Sequence, residues 1–237
     1  MAPITHVIFD YDGVLQDTER AYSLANDVTL KHFGRSFNNT LKSGMMGRCR
    51  EDAVQWVLHQ TGIADTVTTA EYNEIYDRVL QVELANAPLL PGVVKLVEHL
   101  LKHNIPIAVC TGSDEREFAQ KTPKLAEFIS KFENIVLAGS DSEVKRGKPA
   151  PDPYIVTMKR FTIPPKTPAN VLVFEDSING ARSGLAAGCA TVFVPQKEFI
   201  THDWEERIID IKPLLAATVD SLTEVDLDQF ELPGYDE

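Results

Sequence analysis

The chain has 237 residues, 43% hydrophobic and 24% charged, which excludes a disordered chain and suits one large α/β domain or a core plus a smaller domain. Its formal net charge of −12 argues against non-specific binding to nucleic acid or anionic membranes. No run of about 18 apolar residues occurs, so no transmembrane helix is expected. The start, Met1 to His6, runs into a strand pattern without the charged and apolar regions of a leader, and a cytoplasmic location is expected. Cys49, Cys110 and Cys189 are far apart and fit no zinc spacing. Cys110 and Cys189 read as small buried hydrophobes, and no catalytic cysteine is expected.

In chain order, the first element is an apolar strand over Ile4 to Phe9, followed by Asp10-Tyr11-Asp12-Gly13. The next seventy or so residues contain no convincing strand. Helices are expected over Glu19 to Phe33, with Leu24, Val28 and Phe33 on one face and Ala21 and Ala25 between, over Arg50 to Gln60, and over Thr69 to Ala85. This block reads as a helical domain of residues 18–87, inserted into a core of 1–17 and 88–237 and lying over its active edge. Hinges are expected near Val14 to Thr18 and Asn86 to Leu90.

Pro91 to Asn104 reads as a helix with Pro91 in its first position and Val93, Val94, Leu96, Val97, Leu100 and Leu101 at helical spacing. Strands are expected at Ile105 to Cys110, Asn134 to Ala138, Val171 to Phe174 and Thr191 to Val194. A helix from Ser177 to Ala187 has Ser177 as N-cap and Gly188 as stop. Such alternation predicts an α/β fold, a parallel sheet with helices on both faces. The tail from Asp220 to Glu237 is either a docked strand and turn or a loose end.

Carboxylates just past two buried strands sit where open parallel sheets bind ligands. Asp10 and Asp12, two apart, face one site if strand geometry persists, and Gly13 permits a sharp exit. One carboxylate can attack phosphorus while the other handles protons. A surface turn is the plainer alternative, since Asp and Gly are common turn residues. Thr111-Gly112-Ser113, directly after a strand, can hold phosphate oxygens or serve only as a helix cap. Lys148, fixed beside Pro149, is a candidate to screen a nucleophile and a phosphate, whereas Lys145 and Arg146 read as solvated loop. Asp176 is a candidate direct metal ligand. Glu175 is expected to act through a metal-bound water or as an outer acceptor. Both acids could equally be helix N-terminal residues. Four acidic groups at one edge call for a divalent cation such as Mg²⁺. His99 and His103 lie four apart on one helix, His99 on its polar face, and no metal role is expected for them.

Taken together and in this order, Asp10-x-Asp12-Gly13, Thr111-Gly112, Lys148-Pro149 and Glu175-Asp176 resemble the motifs of the haloacid dehalogenase superfamily over nearly the whole chain. The resemblance implies a Rossmann-like core with an inserted helical cap. It implies Asp10 as nucleophile, Asp12 as general acid and base, and Thr111 and Lys148 as phosphoryl binders, with Gly112 and Ser113 beside Thr111. It also implies Mg²⁺ held by Asp10, the Asp12 carbonyl and Asp176, with Glu175 nearby. An Asp at position 12 marks the phosphatases and mutases of that superfamily. Cap residues Arg48 and Arg50, with Glu19 or Tyr22, are candidates to meet the leaving group.

The stretches Phe9 to Arg20, Met45-Met46-Gly47, Leu90-Pro91-Gly92, Lys102 to Pro106, Arg146 to Pro149 and Phe230 to Tyr235 resemble the pseudouridine-5′-phosphatase group. The expected function is thus a Mg²⁺-dependent phosphatase of a small phosphorylated metabolite, such as pseudouridine 5′-phosphate. A sugar-phosphate phosphatase and a β-phosphoglucomutase-like phosphoryl transferase are alternatives. Tyr22 stands where those mutases carry His, which weakens the transferase. A non-enzymatic binding protein would not need the full set of acids and Lys148. No nucleic-acid or membrane partner is expected, and the chain is expected as a monomer or weak homodimer.

Overall fold

The protein is described from a computed structural model covering residues 2–45, 50–196 and 204–235, with the side chain of Ser43 left aside. Two compact units emerge, one formed by Met1–Asp17 with Pro88–Glu237 and the other by Thr18–Ala87.

The first unit is built on a six-stranded sheet in the order β3-β2-β1-β4-β5-β6. The strands are β1 (His6–Phe9), β2 (Ile107–Thr111), β3 (Asn134–Leu137), β4 (Val171–Glu175), β5 (Ala190–Phe193) and β6 (Ala217–Thr218), all paired in parallel. Sequence reading places five of them, each within two or three residues. It misses β6, whose two residues carry no strand pattern. β1 lies at the centre, with Phe9 opposite Val109 of β2 and Phe174 of β4.

These strands read as continuous apolar runs because both faces are covered. Val7, Phe9, Val109, Leu172 and Phe174 enter one buried cluster, while Ile8, Ala108, Cys110, Val171 and Val173 enter another. The first face is covered by α5 (Val93–Lys102), through Val93, Leu96, Val97 and Leu100. The second is covered by α8 (Asp152–Lys159), through Tyr154 and Met158. Between them in sequence run α6 (Glu115–Lys121) and α7 (Ala126–Ile129), and α9 (Ile178–Ala186) and α10 (Trp204–Ile208) follow β4 and β5.

Three expectations are corrected here. Helix α5 begins at Val93, not Pro91, because Gly92 adopts φ 84° and a left-handed residue cannot continue a helix. His99 is buried, with Nε2 2.8 Å from the Pro233 carbonyl oxygen, because the tail covers that side of α5. The tail is docked, and Leu222, Val225, Leu227, Phe230 and Leu232 enter the first cluster through short 3₁₀ turns, not through a strand.

The second unit contains α1 (Thr18–His32), α2 (Asn39–Met45), α3 (Arg50–Gln60) and α4 (Thr69–Asn86). Leu30, Leu41, Val54, Val57, Leu58, Ile63, Val67 and Tyr72 form its core. Helix α2 was not expected, since its seven residues are too few for a periodic signal. Leu24 and Val28 are exposed, contrary to the expected face. Helix α1 buries the expected Ala21 and Ala25 together with Asn26, Thr29 and Leu30, and Asn26 accepts a 2.8 Å bond from the Tyr72 hydroxyl. Thr68 and Glu71 form a reciprocal cap at the start of α4. Among the described residues no helix is long and apolar enough to cross a membrane.

Leu96 is fully buried on α5, whereas Val94 on the same helix is 45% exposed. Leu96→Ala should therefore destabilise the first unit by about 2–5 kcal/mol and Val94→Ala by less than about 1 kcal/mol, read by urea unfolding.

Candidate active site

The chain leaves β1 at Phe9, with the Asp10 amide donating to the Phe174 carbonyl at 2.9 Å. That bond fixes Asp10 at the C-terminal end of the sheet, where the order reverses between β2 and β4 about β1. Beside it stand Thr111, the last residue of β2, and Glu175, the last residue of β4.

Lys148 lies at the centre. Its ammonium donates to Asp10 Oδ1 at 2.7 Å, to Glu175 Oε1 at 2.6 Å and to the Cys110 carbonyl at 2.9 Å. An ammonium has three donors, and all three are engaged. Burial alone would lower the Lys148 pKa, but Asp10 and Glu175 outweigh it and hold the group well above its ordinary value. Glu175 is fully buried, and its Oε1 also accepts the Tyr154 hydroxyl at 2.7 Å. Its Oε2 accepts the Ser177 amide and hydroxyl at 3.2 and 3.1 Å. Ser177 simultaneously caps α9, accepting from the Gly180 amide.

Asp10, Glu175 and Asp176 can each offer a carboxylate oxygen, and these three oxygens lie within 4.8 Å of one another. The Asp10 pKa is pushed up to about 7 by burial, and further by Glu175 and Asp12, against the opposing pull of Lys148. Three acids and the Lys148 ammonium thus converge at this edge of the sheet. Hard oxygen donors gathered this closely suit a hard divalent cation, so the residues present fit Mg²⁺. Gly13 serves this cluster directly. Its φ is 75°, and a Cβ there would lie 1.9 Å from Asp176 Oδ2, so no larger residue could share the space.

Asp12 does not join that group. The expectation that Asp10 and Asp12 face alike assumed that the strand persists, but it ends before either residue. The Asp12 carboxylate turns instead to Lys121, whose ammonium lies 2.7 Å from Oδ1 and 2.9 Å from Oδ2. Ser113 Oγ is 3.1 Å and Thr111 Oγ1 3.3 Å from the same Oδ2.

Thr111 and Ser113, expected to hold phosphate, thus stand beside Asp12, and Gly112 between them leaves open space at its Cα. The helix cap is Asp114, which caps α6. Arg50 lies in the helical unit, bonded to Asn73 and paired with Asp77, with its guanidinium 5.5 Å from the Tyr76 ring centre. Arg48 lies outside the described residues. Sequence reading missed Lys121 and Tyr154. The one available signal for Lys121 was its position three residues after Phe118, which places both on one face of α6; Phe118 packs edge-on against Tyr11 at 5.0 Å. The thiols of Cys110 and Cys189 are pushed up to about 11 and about 12 by burial, so neither supplies a nucleophile near neutral pH.

Comparison with known proteins places the chain in a family. Residues 4–188 match the family model described as "haloacid dehalogenase-like hydrolase". The chain is 38% identical over 216 residues to (DL)-glycerol-3-phosphatase 2 of Arabidopsis thaliana, covering 89% of this chain and 90% of that protein. It is 33% identical over 232 residues to a Drosophila melanogaster protein named "Probable pseudouridine-5'-phosphatase", covering 98% and 96%. The crystal structure of a HAD family hydrolase from Deinococcus radiodurans R1 has the same fold, with TM-score 0.79, 23% identity and coverage of 98% and 97%. The chain therefore belongs to the haloacid dehalogenase-like hydrolase family, as a phosphoric monoester hydrolase.

Proposed function

We propose that this hydrolase is a Mg²⁺-dependent phosphatase that works through a phosphorylated Asp10. The observation that carries the reading is the gathering of Asp10, Lys148, Glu175 and Asp176 at one end of β1 and β4, with Asp12 two residues away on a separate cation.

In the first half-reaction an Asp10 carboxylate oxygen attacks phosphorus. The bond from phosphorus to the leaving oxygen breaks, and Asp12 gives that oxygen a proton. In the second, a water oxygen attacks phosphorus and its proton passes to Asp12. The bond from phosphorus to Asp10 then breaks, releasing phosphate and returning Asp12 to its acid form. Lys148 holds the Asp10 carboxylate in one orientation and offsets charge as it builds on the phosphoryl oxygens. Tyr154 and Ser177 keep Glu175 in place against Lys148. The site's acids, Asp10, Asp176 and Glu175 with the Asp12 carbonyl, would hold Mg²⁺, which supplies neutralisation of phosphoryl charge. Thr111, Gly112 and Ser113 are assigned to the phosphoryl oxygens.

The substrate is a small phosphomonoester, with pseudouridine 5′-phosphate as our first assignment. The 38% identity to a glycerol-3-phosphatase supports a second reading, glycerol 3-phosphate. Phosphate release from both, alongside a panel of nucleotides and sugar phosphates, decides between them. A preference for pseudouridine 5′-phosphate of about tenfold or more in kcat/KM carries the first reading, and equal or reversed values overturn it.

Asp10→Asn should lower phosphate release by about 10³-fold or more with the circular dichroism spectrum unchanged. Near-native turnover in that variant contradicts the mechanism. Saturating Mg²⁺ should raise the Tm of the wild-type protein by roughly 5–10 °C and that of Asp176→Asn by far less, measured by scanning calorimetry. Equal shifts in the two proteins would remove Asp176 from the metal site.

A further inference from the structure

Lys121 is 2% exposed and sits at the last residue of α6, outside the acid cluster around Lys148. A buried ammonium is costly unless it is fully engaged. Lys121 donates to Asp12 Oδ2 at 2.9 Å and to Ser113 Oγ at 2.7 Å, and its charge lies 2.7 Å from Asp12 Oδ1, an oxygen left with no hydrogen-bond partner. Its own position is fixed from two sides. Its backbone carbonyl accepts the Gln16 side-chain amide at 3.1 Å, and Phe118 one turn earlier packs on Tyr11, the residue between Asp10 and Asp12. Gln16 in turn lies in the turn that Gly13 opens, since the Gly13 amide donates to the Gln16 carbonyl at 2.9 Å. The segment from Asp10 to Gln16 and the helix α6 are therefore clamped together around one carboxylate.

We infer that Lys121 is a positioning residue for the phosphatase reaction: by bonding Asp12 Oδ2 and the Ser113 hydroxyl, it fixes the Asp12 carboxylate where it must take a proton from the attacking water. The inference rests on the roles given above to Asp10 and Asp12. Hydrogen bonds from Lys121, Ser113 and Thr111 to Oδ2 leave the carboxylate little rotational freedom and leave Oδ1 to take the proton, whose transfer demands placement within hydrogen-bond reach. Lys148 cannot do this, because its three donors are spent on Asp10, Glu175 and Cys110. The two lysines thus serve the two acids separately.

The test uses the Mg²⁺-loaded full chain and p-nitrophenyl phosphate, whose leaving group departs without a proton. The first half-reaction then needs little from Asp12, while the second still needs it as a base. In rapid mixing, Lys121→Met should release the first equivalent of p-nitrophenolate within about threefold of the wild-type rate. Steady turnover should then fall by about 100-fold, with a phosphoryl group held on the protein and visible by intact mass. Lys121→Gln should behave the same way, and it carries the comparison should the Met variant fold poorly. Lys121→Arg, which keeps a charged donor, should recover most of the turnover. In an Asp12→Asn background, Lys121→Met should change steady turnover by less than about twofold, because the group it positions is gone.

A uniform loss of both phases, additive effects in the double variant, or wild-type turnover in Lys121→Met would each overturn the inference. If Asp12→Asn itself turns over like the wild type without a burst, the role given to Asp12 fails instead. If Asp12→Asn shows the burst and Lys121→Met does not, the fault lies with Lys121 alone.

Discussion

The site depends on a single ammonium placed among buried carboxylates. Lys148 comes from a loop between β3 and α8, yet it bonds to the ends of β1, β2 and β4 at once, through Asp10, the Cys110 carbonyl and Glu175. Burying such charges gives little net stability, and apolar replacements of similar size often do as well or better. The cluster is therefore better understood as chemistry that the fold supports than as a device that supports the fold. Apolar strands covered on both faces supply the rigid frame. Tyr154, Ser177 and the close approach of Asp176 to Gly13 keep the acids from relaxing apart.

The same frame separates two acids that are only two residues apart. Had β1 continued to Asp12, both carboxylates would have shared one environment and one cation. The strand stops at Phe9 and Gly13 turns the chain, so Asp10 meets Lys148 and Asp12 meets Lys121. In the proposed mechanism Asp10 as nucleophile and Asp12 as proton carrier need different surroundings, and the exit from a strand is a compact way of providing them. In this account each acid has its own lysine, and each lysine is fixed by backbone contacts as well as by its acid.

Much of this was legible in the chain itself. Runs such as Val7-Ile8-Phe9 and Val171-Leu172-Val173-Phe174 announce parallel strands because nothing polar is tolerated on either face, and the acids after them mark the ligand-binding edge. Ser177 was legible as a cap because hydroxyl residues cap helices by a local rule. Lys121 was not, since a lysine late in a short helix reads as a solvent-facing residue and its partner lies 109 positions earlier. Tyr154 escaped for the same reason, as its bond to Glu175 exists only once α8 lies on the sheet. Leu24 and Val28 misled because the face of α1 that holds the expected Ala21 and Ala25 is completed by Asn26, Thr29 and Leu30 in their place. His99 misled because the docked tail, remote in sequence, supplies its partner.

The central claim is that phosphorus is bonded to Asp10 during turnover. The most direct measurement is to quench the Mg²⁺-loaded enzyme while it is hydrolysing p-nitrophenyl phosphate, reduce it with borohydride, and sequence the peptides by mass spectrometry. An acyl phosphate at Asp10 is reduced to an alcohol, so the account predicts homoserine at position 10 and unmodified Asp at positions 12 and 176. Homoserine at another acid, or none anywhere while phosphate accumulates in the same quenched sample, would contradict it.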